Sequence, residues 1–151
     1  MKKRYWLLWL SFVATLWGYS FGQSDHLEHL PILYRLLDSG YLPNDDFVNS
    51  NMEGYNPRLL FFYCLLPFCQ LLGVKIVFFL GSFLCNLALA GVSALFARRF
   101  WGERVGEWTD VWSAAAVLCG TVVGWGETAH LRSTFFIPSV AATACILWAF
   151  Y

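Results

Sequence analysis

Long apolar blocks divide this chain at 5–21, 76–97, 111–125 and 135–151, with a shorter one at 59–72. A helix needs about 20 mainly apolar residues to cross the hydrocarbon core of a bilayer, and about 17 is the lower limit. Soluble cores are built from alternating or amphipathic patterns, which blocks of this kind lack. With 58% hydrophobic and only 13% charged residues, too little charge remains to solvate a globular surface. The expected fold class is all-α, a polytopic transmembrane helical bundle forming a single membrane domain over residues 1–151.

Charge placement sets the expected orientation. The basic residues gather at Lys2, Lys3 and Arg4 and again at Arg98, Arg99 and Arg104. Two such short clusters do not make a nucleic-acid surface, so no nucleic-acid partner is expected. Counting 59–72 as a crossing would put the two clusters on opposite sides, against the positive-inside rule. Its length and Pro67 suit an interfacial or re-entrant segment better. The first block stays bulky to its end and offers no small-x-small cleavage site, so it is expected to be an uncleaved signal anchor.

The topology that follows starts with a cytoplasmic amino terminus and an outward span, then an external loop over 22–75. An inward span, a cytoplasmic turn over 98–110, a third span, a short external turn over 126–134 and a fourth span complete it. This corresponds to a multi-pass protein of the bacterial plasma membrane, with the lipid bilayer as its first partner. The last block ends without a basic flank, which predicts that the chain is a truncated gene product or the amino-terminal fragment of a longer polytopic protein.

Within the spans, Gly81, Ser82, Ala88, Gly91 and Ser93 supply small residues for close helix packing. The third block is short and carries Gly120 and Gly124 in its second half. Cys64, Cys69, Cys85, Cys119 and Cys145 all fall in apolar segments without a CxxC pair, so they are expected to act as small buried hydrophobes.

The external loop is acidic, with Asp25, Glu28, Asp38, Asp45, Asp46 and Glu53 against Arg35, Arg58 and Lys75. Apolar residues at Leu27, Leu30, Leu33 or Tyr34, and Leu37 predict an amphipathic juxtamembrane helix, capped by Ser24 and kinked or restarted at Pro31. Residues 40–46 have turn composition, and Asp45–Asp46 suits a turn or a helix cap.

Asp25 and Glu28 share one helical face just beyond the first span. They suit either a catalytic carboxylate pair or a complement to the helix dipole. His26 and His29 have the same spacing, and with a neighbouring acid they suit a divalent cation or, alternatively, simple solvation at the interface. Glu127, His130 and Arg132 sit where the third span ends, where ionisable groups either snorkel to water or line a cavity. A shared cavity of Asp25, Glu28, Glu127 and His130 is expected if the first and third spans are neighbours.

This order resembles the amino-terminal part of the GT-C superfamily, membrane glycosyltransferases that use polyprenyl-phosphate sugars. The features that match are Asp25 to Glu28 in the first external loop, the basic stretch at 97–102, and Glu127, His130 and Arg132 in the second external loop. More narrowly, the stretches 25–31, 42–49 and 56–58 resemble a group of bacterial membrane proteins of this type. The resemblance implies Asp25 as general base, with Glu28 orienting it or binding a divalent metal ion and Glu127 joining the site. His130 or Arg132 would meet the phosphate. It further implies many more spans than this chain holds, so the fragment alone is not expected to catalyse transfer. The competing expectations are a non-enzymatic membrane subunit and a transporter fragment.

Overall fold

The structure, a computed structural model, describes residues 4–23, 26–54, 56–101, 108–119, 122–123, 128–129, 145–146 and 148–149. Its described elements are helical apart from two short extended pieces. They run α1 (Arg4–Gly18), α2 (His26–Leu37), α3 (Asp46–Met52), α4 (Pro57–Leu72), α5 (Val74–Trp101) and α6 (Thr109–Cys119). The extended pieces β1 (Val122–Val123) and β2 (Thr128–Ala129) pair antiparallel. Two compact units result, Met1–Tyr19 with Gly81–Tyr151, and Ser20–Leu80.

Among the described residues, only the stretch Val74–Phe100 of α5 is long and apolar enough to cross a bilayer. At about 1.5 Å per residue its 27 residues reach about 40 Å, more than the hydrocarbon thickness of about 30 Å. The first block is helical only to Gly18, so α1, with 15 residues, reaches about 22 Å. In the third block, α6 covers Thr109–Cys119 and the extended piece β1 stands at Val122–Val123. The expected fourth span, 135–151, lies almost wholly outside the described residues.

In the unit Ser20–Leu80, α2 packs on α3 and α4. Ile32, Leu33, Val48, Phe62 and Phe78 form its buried centre. The amphipathic helix forms with Pro31 inside it, but rotated from expectation: His26, His29, Leu30, Ile32 and Leu33 face inward, and Leu27 is exposed. Asp45 caps α3, its carboxylate accepting from Val48 N at 2.8 Å. Asn56 caps α4 by accepting from Arg58 N, and Pro57 occupies the first turn, where its missing N–H costs nothing.

The segment 59–72 belongs to one continuous helix, α4, that passes through Pro67. The segment expected to be interfacial or re-entrant is thus helical throughout, and Pro67 does not end it. Only Gly73, at φ 84° and ψ 147°, separates α4 from α5. A side chain is strained in that backbone region, and glycine is not.

In the other unit, α1 packs along α6. Ala90, Ala114 and Leu118 form its centre, flanked by Leu7, Leu10 and Ala14. Ser11, Thr15, Ser82 and Asn86 are buried as well. Thr15 Oγ1 donates to Ser11 O at 2.7 Å, and Asn86 Nδ2 donates to Thr15 Oγ1 at 2.9 Å, tying α5 to α1.

Trp148 Nε1 donates to Ala88 O at 3.2 Å, and its ring lies 3.4 Å from where a Cβ on Gly91 would stand. Gly91, one of the small residues expected to serve helix packing, thus lies against an indole. The cysteines divide: Cys69 and Cys85 are buried as expected, whereas Cys64 and Cys145 are exposed.

Candidate functional site

The residues selected from the sequence are only partly within the described structure. Asp25, Glu127, His130 and Arg132 lie outside the described residues, and so does their expected convergence with Glu28. Glu28, His26 and His29 are described, and all three stand on α2.

Glu28 points outward. Its Oε2 lies 3.9 Å from Arg58 Nη1 on α4, with the two side chains 63% and 46% exposed. A pair this open and this long contributes little to stability, in the range of about 0 to 1 kcal/mol. It sets a carboxylate and a guanidinium side by side on the exposed faces of α2 and α4.

The histidines are not solvated, which corrects one of the two expectations for them. His26 is fully buried at the start of α2. Its Nδ1 accepts from Gly22 N at 3.1 Å, and this bond closes the turn in which Gly22 takes φ 77°. An imidazole nitrogen that accepts an N–H carries no proton there, so His26 is neutral in this arrangement. The Phe78 and Phe21 rings lie edge-on and tilted against it at 5.2 and 5.6 Å, and Lys75 Nζ stands 5.9 Å from the Phe21 centroid. His29 is buried against Phe62, ring to ring at 5.9 Å.

Both imidazoles therefore fill an aromatic interior. Among the described residues no three His, Cys, Asp or Glu side chains gather to hold a metal ion. His26 Nδ1 is taken by Gly22 N and Glu28 turns toward Arg58, and Asp25, the other acid expected to join His26 and His29 at a divalent ion, lies outside the described residues. The chemistry available on this face is that of an exposed carboxylate beside a cation.

Three contacts escaped the sequence reading. Arg98 on α5 grips the carboxylate of Asp110 on α6 through a forked contact, Nε reaching both oxygens at 2.8 Å and Nη2 joining them. The Glu28–Arg58 pair and the Asn86–Thr15 hydrogen bond are the others. Asn86 alone carried a signal, as an amide inside an apolar block, where a polar side chain requires a partner. Comparison with protein-family models, with curated proteins and with solved structures found no match for this chain.

Proposed function

We propose that the chain is an integral membrane protein of several spans with a cytoplasmic amino terminus, built as the amino-terminal part of a glycosyltransferase of the GT-C kind. One observation carries the membrane reading. Ser11, Thr15, Ser82 and Asn86 are inside the unit built on α1, α5 and α6, while Trp9, Leu16, Leu84 and the 88% exposed Trp17 are outside it. Each square ångström of such surface left in water forfeits about 25 cal/mol of burial. In hydrocarbon the preference reverses, because polar side chains there must find partners within the protein.

Further support comes from α4, which exposes Leu60, Tyr63, Phe68 and the 80% exposed Leu71. Trp6, in the first turn of α1, stands ring to ring with Trp108 just before α6 at 5.9 Å, and Arg98 near the end of α5 grips Asp110 at the start of α6. The start of α1 and the end of α5 thus meet the same end of α6. Such placement agrees with a positive-inside topology. If the chain is soluble, carbonate washing of membranes releases it; retention in the pellet is the expected result.

The enzymatic part rests on the sequence order. Asp25 takes the proton of an acceptor hydroxyl, the acceptor oxygen bonds the anomeric carbon, and the carbon–oxygen bond to the lipid phosphate breaks with its electron pair on the phosphate. Glu28 and Glu127 orient the base, and His130 or Arg132 meets the departing phosphate. The exposed Glu28–Arg58 pair supports a polar, charged edge on α2. Asp25→Asn in the protein as the cell makes it is expected to abolish transfer from a polyprenyl-phosphate sugar while leaving membrane insertion intact.

A non-enzymatic membrane subunit is the second reading, favoured by the seating of Trp148 on Gly91 and by the Asn86–Thr15 tie. On that reading Asp25→Asn is silent, and bulky residues at Gly81 or Gly91 disrupt assembly. A transporter fragment has less support, because no charged residue stands in the middle of a span.

A further inference from the structure

Resting on the membrane reading, we propose that the end of the unit where α1 begins, α5 ends and α6 begins is a binding surface for anionic phospholipid headgroups. The aromatic residues there are arranged outward. Trp6 stands edge-on to Trp108, and Tyr5 and Trp108 are more than half exposed. Phe100 at 78% and Trp112 at 73% are more open still. Indole and phenol rings combine an apolar body with a polar tip, which suits the level of the headgroups better than either water or hydrocarbon.

The charge at this end is selective. Arg98 is held in its fork with Asp110, so that pair presents no net charge. Arg99 is exposed and has no ion-pair partner among the described residues. A guanidinium offers two parallel N–H donors to one phosphate, and exposed aromatic residues at the same end of the unit set that end at the level of the lipid phosphates. A second protein docking on the same rings would bury them without needing an anion, so dependence on lipid charge separates the two occupants.

The experiment reconstitutes the full chain in phosphatidylcholine vesicles and compares the association of spin-labelled phosphatidylglycerol with that of spin-labelled phosphatidylcholine. The expected result is a preference for phosphatidylglycerol that salt weakens, falls roughly fivefold in Arg99→Gln, and survives in Arg99→Lys. Asp110→Asn, which removes a negative charge and releases Arg98, is expected to raise the preference. Equal association of the two lipids, or a preference unmoved by either charge change, overturns the proposal while leaving membrane insertion standing. Failure of the chain to enter the vesicles at all overturns the membrane reading on which it rests.

Discussion

Asn86 is a polar side chain in an apolar run, and its amide is occupied by the hydroxyl of Thr15, seventy-one positions away. Thr15 in turn donates to Ser11 O, so the acceptor of the Asn86 bond is held in place by its own helix. Asn86→Ala removes the interhelical donor and leaves the Thr15–Ser11 bond. Interhelical hydrogen bonds in membrane proteins average about 0.6 kcal/mol and reach about 1.7. A loss in that range is expected when the chain is unfolded reversibly in mixed micelles; no loss at all would mean that α1 and α5 are held by packing alone. Gly91 makes a second residue-scale test. Gly91→Ala meets the Trp148 ring at ordinary contact distance and is expected to be tolerated. Gly91→Leu must push the ring aside, with an expected cost of about 1 to 3 kcal/mol in the same measurement.

At the scale of elements, the turn chemistry was more legible than the helix faces. Asp45 as a cap and residues 40–46 as a turn follow from side chains that bond their own backbone, a local property. The face of α2 is not local. Apolar residues at Leu27, Leu30, Leu33 and Leu37 describe one stripe, and the structure rotates the helix so that His26 and His29 pack on Phe78 and Phe62 and Leu27 stays outside. Only the rings contributed by α4 and α5 select that rotation. The corner at Gly73 is another element-scale feature, since it alone prevents α4 and α5 from continuing as one rod. Gly73→Ala is expected to cost about 1 to 3 kcal/mol of strain. Unfolding with unchanged midpoint, or a gain in helix content by circular dichroism without loss of stability, would show that the corner is not held against its neighbours.

For the whole molecule the decisive measurement is accessibility. With exposed Cys64 and Cys145 replaced by serine, a cysteine at Ser50 in α3 is expected to react with an impermeant maleimide from outside, and one at Arg99 only after permeabilisation. Outside labelling at Arg99 would mean that α4 crosses the bilayer and that the positive-inside assignment is reversed. The two units offer a matching contrast. The α1, α5 and α6 unit hides small and polar side chains behind exposed tryptophans, whereas the Ser20–Leu80 unit has a conventional apolar centre of Ile32, Leu33, Phe62 and Phe78.

Composition and block length by themselves determined that the chain is helical, and that α5 is long and apolar enough to span a bilayer, because both depend on residues close in sequence. They also located the small residues of α5 and the Asp45 cap. Tertiary structure decided what those faces meet: Trp148 on Gly91, Asn86 on Thr15, Asp110 on Arg98, and Phe78 on His26. Each of these pairs joins residues that no periodicity relates. Their partners are fixed only when helices pack, since a hydrogen bond or a ring contact is won by whichever group the packing brings within a few ångströms.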